Sequence, residues 1–188
     1  MARPAKGSGP GAVERLAGAF WSMLAEMPYP DIKVVPLARR AGSSPNTLYY
    51  HFDGVADLAR YALEAELDSD LAHRIVTGTL PEGALDGMEV RLARVVLFAR
   101  SGSAELTGML TAALRKLWLA EVGLSEEDLD GEERRDLVFL FGGVVAILGD
   151  EGLSPGPGSM ESFTSRPLGR GAVQTMAALA ARGRNPSM

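Results

Sequence analysis

Residues 37–52, LARRAGSSPNTLYYHF, decide the fold because they contain two short helical segments separated by a glycine. We place the first segment at residues 35–41, where Gly42 ends it, since glycine is favoured just beyond a helix C-terminus. Ser44 and Pro45 begin the second segment, because serine is a good N-cap and proline suits the first helical position. Two short helices joined by such a turn predict a helix-turn-helix.

The segments on both sides of this motif are also predicted to be helical. Upstream, residues 12–27 carry apolar side chains at helical spacing, which indicates an amphipathic helix that Pro28 ends. Downstream, Asp53 and Gly54 break the chain before one long helix over residues 55–75. We therefore expect a three-helix domain over residues 12–54, preceded by a flexible arm at residues 1–11.

The remaining sequence, residues 55–188, predicts a larger helical domain. Single helices are expected at residues 85–100, 137–148 and 167–182. Residues 104–122 are expected to form two helices with a bend near Gly108 or Thr111, and a further helical region is expected to begin at Ser125. Residues 149–166 are rich in glycine, proline and serine and are predicted to be a loop. No segment shows the alternation of a β-strand, so the predicted fold class is all-α, with an N-terminal helix-turn-helix domain and a C-terminal helical bundle.

Composition excludes several classes of protein. The 188 residues include no cysteine and two histidines, so we expect no disulfide, no metal site and no cofactor. A membrane span needs about 18 apolar residues in succession, and the sequence has no such run. The start of the chain is polar and glycine-rich, and it lacks the apolar core of a signal peptide. The sequence therefore predicts a cytoplasmic protein with no membrane partner.

The net charge of −5 is unevenly distributed along the chain. Residues 1–60 carry seven basic and five acidic side chains, whereas residues 61–188 carry twelve basic and nineteen acidic ones. Nucleic-acid binding needs a local basic face rather than a basic protein, so the acidic total does not exclude it.

The second short helix carries an unusual outer face. On a helical wheel Leu48 and Phe52 point inward, and the residues that point outward or lie on the flanks are Asn46, Thr47, Tyr49, Tyr50 and His51. Side chains of these types can contact base edges and phosphates, since asparagine binds adenine, a threonine methyl contacts a thymine methyl and tyrosine hydroxyls bind phosphate. Aromatic residues in a helical hairpin are more often core, but two adjacent tyrosines cannot both face one core.

These residues carry a family resemblance. The run AFWSMLAEMPYPDIKVVPLARRAGSSPNTLYYHFDGVADL, residues 19–58, is similar to the N-terminal domain of the TetR (tetracycline-repressor-like) family. The matching elements are Ala19-Phe20, Tyr29, Leu37-Ala38, Ala41-Gly42, Thr47-Leu48-Tyr49-Tyr50-His51-Phe52 and Leu58. The resemblance covers about residues 12–65. It implies a sequence-specific, homodimeric transcriptional regulator of the repressor type that a small hydrophobic effector releases from a palindromic operator.

The outer face of the second short helix, its start and the nearby cations supply the residues that we expect to contact DNA, and the chain departs from the family at several positions. The DNA-binding residues that we predict are Lys33, Arg39, Ser44, Asn46, Thr47, Tyr49, Tyr50 and His51. Pro28 stands where the family usually has glycine, and Ser43 stands where it usually has an apolar residue in the turn. Ile32 and Lys33 stand where the family usually has a threonine that caps the second helix, so that capping hydroxyl is missing. Val55 stands where the family often has a phosphate-binding lysine, so we expect fewer phosphate contacts unless Arg40, Arg39, Lys33 and the arm compensate.

The resemblance implies that the C-terminal bundle binds the effector and forms the dimer. The effector-lining residues that we predict are Met88, Leu92, Met109, Leu110, Leu114, Leu117 and Trp118, because methionine adapts to ligands and tryptophan offers a large apolar wall. The alternative is that they are ordinary core residues. Residues 137–148 are apolar all round and need partners on two faces, so with residues 167–182 they predict a four-helix dimer interface. The alternative is a central helix within one subunit.

Two rival interpretations remain beside the regulator. An enzyme is not expected, because the sequence has no phosphate-binding glycine loop, no G-x-S-x-G motif, no H-E-x-x-H motif and no cysteine nucleophile. The acidic cluster over residues 126–133 could suggest a metal site, but its carboxylates lack the spacing of a calcium-binding loop. It indicates instead the start of a helix and a solvent-exposed surface. A ligand-sensing or protein-interaction module with weak or lost DNA binding is the second alternative, because of Val55 and the low local charge.

Overall fold

The computed structural model describes residues 11–77, 88–150 and 165–184, and within these ranges every regular element is helical. The all-α expectation is confirmed at this level. Except for Gly11, the predicted arm lies outside the described residues, as does most of the predicted loop over 149–166. The chain divides into two compact units, Met1–Ala62 and Leu63–Met188, whereas the sequence placed the domain boundary after residue 54.

The first unit is built from three mutually packed helices. They are α1 (Ala12–Glu26), α2 (Val34–Arg40) and α3 (Pro45–His51), with a 3₁₀ turn at Tyr29–Asp31. Leu16 and Phe20 of α1, Leu37 of α2 and Leu48 of α3 are fully buried and form its core. Helix α4 (Val55–Glu66) follows, and the boundary between the two units falls within it.

The turn between α2 and α3 forms because Gly42 adopts φ +61°, a conformation that glycine takes without steric cost. The Ser43 amide then donates to the Ala38 carbonyl at 2.9 Å, which closes the end of α2. Ser44 begins α3, and its hydroxyl accepts the amide hydrogen of Thr47 at 3.1 Å. The hydroxyl oxygen of Ser43 is buried and has no hydrogen-bond partner within the described residues.

Among the described residues, the second unit contains the rest of α4 and five further helices. They are α5 (Ser69–Thr77), α6 (Met88–Ala99), α7 (Ala104–Glu121), α8 (Gly131–Gly149) and α9 (Pro167–Arg184), with a 3₁₀ turn at Glu126–Asp128. Helices α7 and α8 make the most extensive pairing, and α5 and α6 each pack against both of them. Leu110, Leu114, Leu137 and Phe141 are buried in this core.

The prediction of one long helix over residues 55–75 is wrong, because the chain breaks at Leu67-Asp68. Asp68 caps α5 by accepting the Leu71 amide hydrogen at 2.8 Å. From α6, Arg91 donates to the Glu66 carbonyl at 2.7 Å and pairs with the Asp68 carboxylate at 2.8 Å. Burial tends to raise the pKa of Asp68, but the hydrogen bonds from Leu71 and Arg91 outweigh it and hold the pKa below its ordinary value.

The prediction of a bend near Gly108 or Thr111 is also wrong, because α7 is one continuous helix. The hydroxyls of Thr107 and Thr111 donate to carbonyls one turn earlier, at 3.0 and 2.8 Å, so these polar side chains are accommodated without a break. Gly108 lies within the helix with open space around it.

The acidic segment before α8 is a helix start, as the sequence indicated. Asp130 accepts the amide hydrogens of Glu132 and Glu133, both at 2.8 Å, and Glu133 reciprocates by accepting from the Asp130 amide. Ser125 and Asp128 form a similar reciprocal pair one turn earlier, and the Ser125 hydroxyl lowers the pKa of Asp128. Within the ranges that the structure describes, no group of three acidic or histidine side chains is placed to hold a metal ion.

Helix α9 is attached to the second unit at its C-terminal end. Leu179 is buried, and Arg182 donates to the Asp128 carbonyl at 2.8 Å and pairs with the Glu133 carboxylate. Gly183 lies directly against the Val122 carbonyl, where no side chain would fit. None of the helices described here is long and apolar enough to cross a membrane.

Candidate functional site

The outer face of α3 exposes large polar-aromatic side chains. Tyr50 is 83% exposed and Tyr49 is 59% exposed, and Asn46 is exposed beside them. The inner residues Leu48 and Phe52 are buried. Because the buried face fixes the helix, the exposed side chains are presented from a rigid support rather than from a loop.

The hydroxyl groups at the start of α3 bind each other. The Ser44 and Thr47 hydroxyl oxygens lie 2.9 Å apart, and the Ser44 oxygen also accepts the Thr47 amide hydrogen. Ser44, which the sequence placed among the DNA-binding residues, is therefore engaged in capping the helix.

An aromatic series continues from α3 into α4. The Tyr50 and His51 rings meet edge to face with centroids 4.8 Å apart, and the Phe52 ring lies 5.4 Å from that of Tyr61. His51 is exposed, and its ring also lies 6.3 Å from Phe52. These contacts restrict the orientations that Tyr50 and His51 adopt on the surface.

The cations near α3 differ in how far they are already engaged. Arg40 pairs with Glu26 at 2.7 Å and donates to the Ser22 hydroxyl at 3.0 Å, and its hydrogen bond holds the pKa of Glu26 below the ordinary value. The exposed Lys33 donates to the Pro30 carbonyl at 2.6 Å. The exposed Arg39 has no ion pair within the described residues, which leaves its guanidinium accessible to an anion.

The start of α4 has Val55 at the position where the resemblance implied a lysine, and it carries the Asp57 carboxylate one half-turn further on. Val55 is half-buried, and Asp57 accepts the Asp53 amide hydrogen at 3.2 Å and pairs with Arg60 at 3.0 Å. Arg60 is thus partly neutralised, so this end of α3 offers little positive charge.

The predicted effector-lining residues do not share one environment. Leu110, Leu114 and Trp118 are buried, and the Trp118 ring lies 6.0 Å from that of Phe141 in the α7–α8 core. Leu92, Met109 and Leu117 are half-buried, and the side chain of Met88 lies outside the described residues.

A surface groove between α7 and α8 was missed by the sequence analysis. It has a volume of about 810 Å³. Its lining residues are Ala99, Ala104, Thr107, Gly108, Thr111, Ala112, Arg115, Val138, Gly142, Val145, Ala146, Gly149 and Asp150. None of the six predicted effector residues whose side chains the structure describes borders it. The signal in the sequence was the recurrence of alanine, glycine and threonine at helical spacing in α7, and of glycine and alanine in α8.

Helix α8 is not buried on all sides, contrary to the alternative of a central helix. Phe139 is 67% exposed and Val138 is also exposed, while a β-carbon built at Gly142 or Gly143 would have no atom of another described segment within 4 Å. In α9, Leu168 and Val173 are exposed as well. Two helices of the second unit thus each present apolar surface.

The chain matches no protein-family model, no curated protein and no solved structure. The functional interpretation therefore rests on the chemistry of the described residues and on the sequence pattern of residues 12–65.

Proposed function

We propose that the chain is a sequence-specific DNA-binding transcriptional regulator of the TetR-like type, in which α2 and α3 form the helix-turn-helix. The observation that carries this proposal is the outer face of α3, where Tyr50 and Tyr49 are exposed although the helix itself is firmly packed. Contiguous exposed aromatic side chains rimmed by polar residues are typical of interaction surfaces, where tyrosine is enriched. Asparagine and tyrosine on one helix face suit base edges and phosphates of the major groove.

The arginines at the end of α2 supply a sharp test of this proposal. Arg39 and Arg40 are neighbours on the same exposed turn, but Arg40 is paired with Glu26 whereas Arg39 is accessible. Each phosphate contact contributes a slope of about −0.9 to the dependence of log affinity on log salt concentration. We expect Arg39→Ala to reduce the slope by about that amount, while Arg40→Ala, the matched control, leaves it unchanged.

The experiment begins with selection of duplex DNA from a random-sequence pool by the purified full chain. The proposal predicts enrichment of a palindrome whose binding weakens as salt rises, and loss of that binding in Tyr50→Ala with the helical content unchanged. If no duplex is enriched, the chain is instead a ligand-sensing or protein-interaction module. That second candidate is favoured by two observations, the ion pair that engages Arg40 and the absence of a cation at Val55.

We also propose a homodimer through α8 and α9, which would present two copies of α3 to a palindrome. The support is the exposed apolar surface of Phe139 and Val138 beside the open positions at Gly142 and Gly143. A charge placed there should oppose association, so Phe139→Glu is expected to give a monomer in analytical ultracentrifugation. Lys116→Glu, at an exposed position of α7, is the control for the added negative charge.

The effector that we propose is a small apolar molecule bound in the second unit near Trp118. The support is the apolar character of α6 and α7 around the half-buried Leu92, Met109 and Leu117. Trp118 is the only tryptophan of the second unit, since the other tryptophan of the chain, Trp21, lies in the first. In a Trp21→Phe background, a change in Trp118 fluorescence on titration with alkanes or aromatic hydrocarbons would support the site, and an unchanged spectrum would contradict it.

A further inference from the structure

One exposed stripe of α8 has an uneven distribution of side-chain size and charge. Its members follow one another at steps of three or four residues, so they share one face of the helix and its C-cap; they are Arg135, Phe139, Gly143, Ala146 and Asp150. The stripe begins with a cation, continues with one large aromatic ring and two small residues, and ends with a carboxylate. Its two halves are therefore complementary to each other in size and in charge.

The surface groove between α7 and α8 runs along this stripe and is lined mainly by small side chains. Ala146 and Asp150 belong to both the groove and the stripe, and Gly142 adds to the groove from the same side of α8. On the α7 side, a β-carbon built at Gly108 would have no atom of another described segment within 4 Å. With a volume of about 810 Å³ the groove has room for an aromatic ring, and Phe139 of the same chain is not among its lining residues.

A two-fold axis through the middle of the stripe would bring its complementary halves together. If two copies of α8 pack antiparallel with the axis between Gly142 and Gly143, each residue faces the one equally far along on the other side of the axis. Phe139 of one copy then faces Ala146 of the other, which is part of the groove. The two-fold repeats the contact, because the same patch is used by both copies.

The charges at the ends of the stripe fit the same arrangement. Arg135 of one copy would face Asp150 of the other, and such complementarity across an interface fixes its register. Within its own helix Arg135 pairs with Glu132 at 2.8 Å, but both side chains are largely exposed, and an exposed pair of this kind contributes little. In a parallel arrangement like charges would instead lie side by side.

We propose that the groove between α7 and α8 is the docking site for the Phe139 side chain of a second copy of this chain, with the two α8 helices antiparallel. The inference rests on the proposed homodimer and not on DNA binding. It adds α7 to the surface that the partner contacts, and it assigns the groove to protein association rather than to the effector.

Disulfide cross-linking tests the antiparallel arrangement, because the chain has no cysteine of its own. Arg135→Cys mixed with Asp150→Cys should give a disulfide-linked dimer after subunit exchange under oxidising conditions. Each variant alone should stay unlinked, since the two copies of either position would lie about 22 Å apart, whereas a disulfide needs Cα atoms within about 7 Å. A linked dimer of either variant alone would indicate parallel helices and overturn the inference.

Filling the groove from α7 tests whether the partner enters it. Gly108→Leu has open space within one chain and should leave the subunit folded, which circular dichroism checks. The leucine would occupy the space that Phe139 of the partner needs, so we expect the dissociation constant of the dimer to rise at least about tenfold in analytical ultracentrifugation. Lys116→Leu is the matched control, because Lys116 is exposed on the same helix outside the groove, and it should leave the constant unchanged.

The outcomes separate this inference from the proposed homodimer. If the wild-type chain dimerises but the mixed cysteine variants stay unlinked, or Gly108→Leu keeps the wild-type dissociation constant, the groove does not receive Phe139 and the homodimer through α8 and α9 stands. If the wild-type chain sediments as a monomer, the homodimer fails and the docking of Phe139 fails with it.

Discussion

Replacement of Gly183 by alanine should weaken the attachment of α9 to the end of α7. A β-carbon at this position would lie 2.0 Å from the Val122 carbonyl oxygen and 3.1 Å from the Leu124 γ-carbon. A carbon and a carbonyl oxygen approach each other to about 3.3 Å in proteins, so the two backbones must separate by roughly 1 Å. The nearest atom belongs to the backbone, so no side-chain rotation relieves the clash.

The size of the effect follows from two opposing contributions. Overpacking of this kind costs about 1–3 kcal/mol, while alanine gains up to about 1 kcal/mol over glycine in a helix. We expect Gly183→Ala to lower the free energy of unfolding by about 1–2 kcal/mol. For a chain of this size that corresponds to a melting temperature lower by about 2–8 °C.

The assay is thermal unfolding followed by Trp118 fluorescence in a Trp21→Phe background, so that the signal reports the second unit. Gly171→Ala in the same helix is the matched control, because a β-carbon there would have no atom of another described segment within 4 Å. Alanine should therefore stabilise the helix by up to about 1 kcal/mol. A Gly183→Ala variant that melts at or above the parent temperature would refute the close approach of α9 to Val122.

Three further predictions concern local interactions. Ser43→Ala should raise the free energy of unfolding by about 1 kcal/mol in urea titration, because it removes a buried hydroxyl without a partner, and an unchanged or lower value would contradict that environment. Asp130→Ala should cost about 1 kcal/mol in the same measurement through loss of the α8 cap, whereas Asp130→Asn should retain most of it. The lowered pKa of Asp68 means that its contribution to stability is present above the unfolded pKa of about 3.9 and is lost as the pH falls through the folded value. Asp68→Asn should therefore lose less stability than the parent between about pH 6 and pH 3, and equal losses would count against the contact with Arg91.

The first unit was largely predictable because its signals are local. Gly42, Ser44 and Pro45 mark the end of one helix and the start of the next through backbone conformation and capping alone, and the structure has those elements where the sequence placed them. The inward Leu48 and outward Tyr50 also follow from helical periodicity. The engagement of Arg40 by Glu26 did not follow, because it depends on how α1 and α2 pack.

The second unit was less predictable because its breaks and faces depend on contacts distant in sequence. The apolar period through Leu63, Leu67 and Leu71 runs across the break at Asp68, so the pattern indicated one helix, while Arg91 from α6 stabilises two. Asp68 itself was a usable capping signal. The exposure of Phe139 was unpredictable, since an all-apolar helix does not reveal which of its faces the same chain covers.

The contacts of Arg182 have a consequence for the order in which the protein folds. They join residues 49 and 54 positions apart, whereas the caps of α3, α5 and α8 join residues two or three positions apart. Long loops carry a larger closure entropy, so we expect the local caps to form early and α9 to dock last. Amide hydrogens of α9 should then exchange with solvent through a partial opening that leaves α7 and α8 protected, which makes α9 the least stable cooperative segment of the second unit.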